Sequence, residues 1–323
     1  MHEQALKSWL GDMPDADNES VTVTVTSIRE FKEFTEKKIC YEGYDGESIP
    51  AYLLIPRGPK HPMPGIVAFH QCGYHCDIGK EQVVGKRVDL PDQAYGFELT
   101  KRGFVVLAPD AAKIGERYDP NLREQWQCAH DRPSQDNCCC AYGGSWAQPR
   151  WRPVFDAKRA VSVLRDRPEV DPKRMGAIGH SLGADTIIWT LPFEDRLKAV
   201  ALSGGGVMKA QNGGWMPYAL PYEQLLSEVI VHRTSLFEFA GTSDPIHRID
   251  TPHLNDIQEH MSKKTGLYQH LRSMGHDVEL HTEDCGHYFH ENGRLQSYAF
   301  LQERLGCNDG AQQGAQPDAF GAG

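Results

Sequence analysis

The sequence predicts an α/β protein, a mostly parallel central sheet with helices on both faces. Short apolar runs recur along the chain, segments of helical periodicity separate them, and 323 residues suit one such domain carrying insertions. No internal repeat is evident, so a single domain over 30–307 is expected.

Residues 1–29 are polar and acidic and read as an N-terminal extension, within which VTVTVT at 21–26 alternates as an edge strand does. Phe34–Glu42, a Tyr-Asp-Gly-Glu turn at 44–47 and Ile49–Ile55 form an expected N-terminal β-hairpin. GIVAFH (65–70) and FVVLAPD (104–110) are apolar runs of the buried-strand kind, and GFELTKRG (96–103) between them reads as a helix ending at a glycine. Periodicity then disappears from about 111 to 150, a stretch rich in Cys, Trp, Tyr and Gly that reads as a functional loop.

Helical spacing resumes over 152–170, where Val154, Ala157, Ala160, Val161 and Leu164 share one stripe. RMGAIG (174–179) is a strand leading directly into the helix HSLGADTIIWTL, and KAVALSGG (198–205) is another strand. A second insertion is expected at about 206–231. A strand at 235–241, a helix over roughly 253–273, a strand at 278–284 and a helix at 292–305 complete the alternation. The tail 308–323 is poor in bulky apolar residues and is expected to be disordered.

A net charge of −10 and no run of five Lys or Arg argue against nucleic-acid and anionic-membrane partners. No stretch approaches a membrane helix in length, and the first twenty residues hold no apolar signal core, so a cytoplasmic location is expected. Nine cysteines, three of them consecutive at 138–140, suit a disulfide framework poorly. Cys72 with Cys76, and Cys128 with His130, offer metal-ligand types, but no pair of C-x-x-C units with structural-zinc spacing appears, and neither metal nor cofactor is expected. The composition is compatible with a homo-oligomer.

Gly179-His180-Ser181-Leu182-Gly183 fits G-x-S-x-G between an apolar strand and a helix. That pattern places a serine on a strained strand-to-helix turn, with its hydroxyl presented to substrate and the helix N–H groups beside the developing oxyanion. Ser181 is therefore the candidate nucleophile. A hydroxyl needs an imidazole base, itself oriented by a carboxylate, and both should follow later strands. His287, after the final strand, is preferred over His281 and His290. Asp244, in Gly-Thr-Ser-Asp-Pro after the strand at 235–241, is preferred over Asp250, Glu283 and Asp284. Leu182 and Cys72 are the expected oxyanion N–H donors, and Cys72 sits on the wrong turn to be a nucleophile. Gln71, Arg117, Trp126, Trp146 and His180 are candidate pocket residues.

His70-Gln71, Pro109-Asp110 with Gly115-Glu116-Arg117, Asp156-x-x-Arg159-Ala160-Val161, Arg167-Pro168-Glu169-Val170-Asp171, the elbow and Gly286-His287 together resemble the dienelactone hydrolase-like and acetyl-xylan-esterase-like α/β hydrolases. The similarity spans roughly residues 50–305. It implies the α/β-hydrolase fold and a cofactor-independent esterase for small carboxylic esters. Dienelactone hydrolases proper use a cysteine where this chain has Ser181. Arg117, in the family-like segment, would meet a substrate anion or form a buried ion pair with Asp110 or Glu116. An oligopeptidase-type peptidase is disfavoured because about 50 residues precede the sheet, too few for a gating propeller. A non-catalytic protein on the same fold is disfavoured because all three triad positions are filled.

Overall fold

In the computed structural model the elements follow the order β1 (Val23–Glu30), β2 (Phe34–Glu42), β3 (Ser48–Pro56), β4 (Met63–Phe69), α1 (Tyr95–Lys101), β5 (Val105–Pro109), α2 (Arg152–Arg165), β6 (Val170–His180), α3 (Leu182–Thr190), β7 (Leu197–Ser203), β8 (Ser235–Gly241), α4 (Ile257–Ser273), β9 (Val278–Glu283) and α5 (Glu291–Leu305). The structure describes residues 11–17, 20–58, 62–72, 77–119, 151–205, 233–244 and 257–306.

The strands form one sheet in the order β1-β2-β3-β5-β4-β6-β7-β8-β9. From β5 to β9 every pairing is parallel, whereas β1, β2 and β3 join antiparallel, with β3 laid against β5. The central parallel strands β4 and β5 are buried along their whole length because helices cover both faces. On one face Val67 and Phe69 of β4 belong to a single apolar cluster with Val154 and Phe155 of α2 and Ile187 of α3, which extends along the sheet to Leu267 of α4. The alternate β4 residues Ile66 and Ala68 pack on the other face with Leu99 of α1 and Leu301 of α5. Ile66 and Val67 are fully buried, and each such side chain contributes about 1.5–3 kcal/mol.

Two boundaries differ from the sequence expectation. The edge strand runs from Val23 to Glu30, past the alternating VTVTVT, with a register shift between Val25 and Ser27. The sheet therefore begins inside the stretch read as an extension. Ala16 also joins the core, and Asp17 pairs with Arg196 at 2.8 Å and Lys158 at 2.7 Å. The second difference is β6, which starts at Val170 rather than 174. Its pairing jumps from Met63↔Val170 to Gly65↔Met175, so Asp171–Arg174 stand out of register and Pro172 needs no ladder hydrogen bond.

Among the described residues no helix is long and apolar enough to cross a membrane. Cys40, Cys72 and Cys285 stand outside any disulfide.

Candidate active site

The chain leaves β4 for β5 on one side of it and reaches β6 on the other, so β4 is where the strand order reverses. In open α/β sheets the crevice at the carboxyl ends beside such a reversal is where ligands bind. Here those ends deliver His70-Gln71-Cys72 after β4, Asp110 after β5, Ser181 after β6, Gly204 after β7, Asp244 after β8 and His287 after β9. Five of the six parallel strands surrounding the crevice contribute a group that the sequence singles out.

Ser181 occupies the turn between β6 and α3 with φ 53° and ψ −115°. A side-chain-bearing residue in such backbone costs about 1–3 kcal/mol and persists only when its surroundings over-determine it. They do: the Ser181 N–H donates to the Ser203 carbonyl at 2.7 Å, and the Asp185 N–H donates to the Ser181 carbonyl at 3.0 Å. The flanking glycines have a steric reason. A Cβ on Gly183 would lie 2.1 Å from the Phe69 carbonyl oxygen, and one on Gly179 would lie 2.4 Å from the Gly183 backbone. The helix can thus enter directly over the end of β4, which brings its N-terminal N–H groups beside the loop starting at His70.

His287 is half-buried, and its Nδ1 lies 2.8 Å from Oδ2 of the buried Asp244. The carboxylate can only accept, so Nδ1 carries the proton and Nε2 is left as a base. The rivals are engaged elsewhere. His281 Nε2 lies 3.1 Å from Glu283, which also accepts from Asn292; the more exposed His290 stands 3.9 Å from the same carboxylate. Asp284 accepts from the Ser243 hydroxyl at 2.7 Å. Asp250 falls outside the described residues.

His180, next to the nucleophile, is fully buried and directs Nδ1 to the Ser203 hydroxyl at 3.0 Å. Its ring lies 4.8 Å from that of His287 and stacks 5.9 Å from Phe289. It therefore forms a wall behind the His287 imidazole. Cys72 and Ala111 pack against Ile114 and Leu182 in one small apolar cluster, which joins the two candidate oxyanion residues. The Gln71 carbonyl accepts from His70 Nδ1 at 2.7 Å and from Gln82 Nε2 at 3.4 Å.

Arg117 is held in ion pairs within the fold. Its guanidinium meets Glu47 at 2.8 Å and Asp156 at 2.9 Å, and donates to the Asp110 backbone carbonyl at 3.1 Å. The carboxylates of Asp110 and Glu116, expected as its partners, instead hold Lys80, whose Nζ is 2.5 Å from Asp110 Oδ2. Asp110 also accepts the backbone N–H groups of Lys80 at 2.8 Å and Glu116 at 3.0 Å, so this buried pair pins the loop after β5. Lys80 and Ser203 carry no local sequence signal; each acts through a partner brought close by the fold. Trp126, Trp146, Cys76, Cys128 and His130 lie outside the described residues.

The sheet, the strained serine turn and the loops that gather at its carboxyl edge define a hydrolase of the α/β-hydrolase fold. Residues 49–299 match the dienelactone hydrolase family, and the chain belongs to it. The Bacillus subtilis (strain 168) protein YtaP is 26% identical over 189 residues, 58% of this chain and 58% of its own; the match spans under two thirds of that curated relative's length. Among solved structures, a glucuronoyl esterase from Solibacter usitatus shares the fold with TM-score 0.61 at 14% identity, over 94% of this chain and 91% of its own. An acetyl xylan esterase from Paenibacillus sp. R4 gives TM-score 0.57 at 15% identity, over 94% and 93%. A cold-adapted esterase from an Arctic intertidal metagenomic library gives 0.55 at 15%, over 87% and 98%.

Proposed function

We propose that the protein hydrolyses small carboxylic esters through an acyl-enzyme, with Ser181 as nucleophile, His287 as base and Asp244 as its orienting acid. The observation that carries this reading is the hydrogen bond of His287 to buried Asp244, on the sheet edge that holds Ser181 in its strained turn. Membership of a hydrolase family and the esterases among the structural neighbours support the same reaction class.

In the acylation step Ser181 Oγ bonds to the ester carbonyl carbon and its proton passes to His287 Nε2. Asp244 stabilises the imidazolium without taking its proton. The carbonyl oxygen becomes an oxyanion facing the N–H groups of Leu182 and Cys72. His287 then returns the proton to the departing alcohol, leaving an acyl group on Ser181. In the second half His287 takes a proton from water, whose oxygen attacks the acyl carbon, and Ser181 is regenerated as the acid leaves.

Fluorophosphonate labelling with mass mapping tests the nucleophile. Ser181 is the expected adduct, and Ser181→Ala should lose labelling and about 10⁴–10⁶-fold in kcat while keeping its melting temperature. Near-wild-type turnover in a folded Ser181→Ala protein would overturn the assignment.

A further inference from the structure

We propose that His70 is a positioning residue that sets the Gln71–Cys72 peptide so that the Cys72 N–H is presented to the oxyanion. The inference deepens the ester-hydrolase reading and rests on it. His70 is 2% exposed, at the carboxyl end of the central strand, and has no place in the proton relay above.

Both ring nitrogens have partners of fixed polarity. The Ala111 backbone N–H reaches His70 Nε2 at 3.0 Å, and an amide N–H can only donate, so Nε2 is an acceptor. Nδ1 lies 2.7 Å from the Gln71 carbonyl oxygen, which can only accept, so Nδ1 carries the hydrogen. The two contacts together define one neutral tautomer. Burial agrees, holding the His70 pKa below the ordinary histidine value against the opposing influence of Asp110.

The consequence is in the next peptide. A planar trans peptide points its C=O and the following N–H in opposite directions, and no cis bond occurs among the described residues. Fixing the Gln71 carbonyl on the imidazole, with Gln82 as a second donor, therefore turns the Cys72 N–H to the opposite side. The Cys72 side chain packs with Leu182, whose N–H is the other expected oxyanion donor. His70 is in turn fixed through Ala111, which directly follows the pinned Asp110. A loop free to rotate that peptide would replace a donor by a carbonyl oxygen facing the oxyanion. Repulsion there opposes the step that the donor assists.

Two substitutions separate the contacts. His70→Asn keeps an amide N–H near the Nδ1 position and so the bond to Gln71. His70→Gln moves its amide toward the Nε2 position, where the oxygen serves Ala111 but residue 70 no longer donates to Gln71, leaving the Gln71 carbonyl only the long bond from Gln82. With p-nitrophenyl acetate and the full chain, His70→Gln should lose roughly 10²-fold in kcat with KM little changed, as for removal of one oxyanion donor. Its inhibition constant for an aryl trifluoromethyl ketone, which forms a tetrahedral oxyanion on serine, should rise by the same factor. His70→Asn should stay within about tenfold of wild type on both measures. Equal kcat in the two variants, or losses that follow melting temperature with the ketone affinity unmoved, would overturn the role.

Imidazole ¹⁵N shifts of the wild-type protein test it without any variant. A neutral ring protonated on Nδ1 is expected at pH 7, and an imidazolium or an Nε2-protonated ring overturns the proposal. If Ser181→Ala retains turnover, the triad reading fails and this inference falls with it. If Ser181→Ala is dead but the His70 variants match each other, only the His70 role is lost.

Discussion

His287 Nδ1 and Asp244 Oδ2 stand 2.8 Å apart across 43 residues of sequence, joining the loop after β8 to the loop after β9. Adjacent parallel strands bring their carboxyl ends together, so this pairing follows from the β8–β9 ladder. Asp244→Asn should lower kcat by about 10³–10⁴-fold, because an amide can donate to Nδ1 and favour the wrong tautomer. His287→Ala should be as inactive as Ser181→Ala. His290→Ala, which removes a half-exposed ring 3.9 Å from Glu283, should retain wild-type kcat. Steady-state kinetics on one aryl ester decide it, and a dead His290 variant would move the base to that residue.

The buried pair of Lys80 and Asp110 offers a test of what holds the carboxyl edge. Both side chains are almost fully buried, and Asp110 also collects two backbone N–H groups. Lys80→Met leaves a buried carboxylate without its cation and should destabilise the protein by about 3–5 kcal/mol in urea titration. The double variant Lys80→Met/Asp110→Leu should recover part of that loss, as a cycle between contacting groups requires. Additive losses would show that the two side chains are not energetically coupled.

The contrast between these two sites explains what the sequence made legible. The placing of Ser181 and His287 at the carboxyl edge is legible because the elbow motif and the last strand are local patterns, and G-x-S-x-G encodes two close backbone approaches. The strands β4, β5, β7 and β8 are legible because burial on both faces leaves mostly apolar runs, broken only by Lys198 in β7 and Glu238 in β8. The end of β1 is hidden because an exposed edge carries little hydrophobic pattern beyond Val25. The start of β6 was hidden by Asp171, Pro172 and Lys173, which stand out of register. For Arg117 the sequence suggests the nearby Asp110 and Glu116, whereas its carboxylates come from Glu47 and Asp156. Charged pairing across the fold leaves no periodic trace.

Acid sensitivity should have a component from the ion pair of Asp277 and Arg304. Hydrogen bonding from Arg304 holds the Asp277 carboxyl below its ordinary 3.8, with Ser235 adding to the effect. A carboxyl whose pKa is lower folded than unfolded contributes stability that is present above the unfolded value and lost as pH falls through the folded one. Arg304→Gln should therefore lower the urea midpoint at pH 6, and the gap from wild type should shrink below pH 3.8. A gap of equal size at both pH values would assign the effect to packing of Arg304 over Phe300.

Specificity should reside partly between Asp119 and Trp151. That stretch follows β5 at the carboxyl edge which carries Ser181, and it brings Trp126 and Trp146 along with several cysteines. Its downstream end is anchored: Trp151 packs edge-on against Tyr44 at 4.8 Å and Phe155 at 5.9 Å. A segment that leaves a ligand-binding edge and carries large apolar rings in its sequence is suited to walling an acyl or aryl group. Alanine at Trp126 or Trp146 should then shift kcat/KM between small and bulky aryl esters by about tenfold or more, the scale of a lost apolar pocket contact. The melting temperature, measured alongside, separates this from a packing role. A wall residue changes the ratio between esters at constant stability, whereas a residue that only packs the segment onto the domain lowers all esters alike as melting temperature falls. Because the acetyl group is small, its turnover should suffer least, and an acyl-chain series from acetyl to hexanoyl would locate the depth at which each ring meets the substrate.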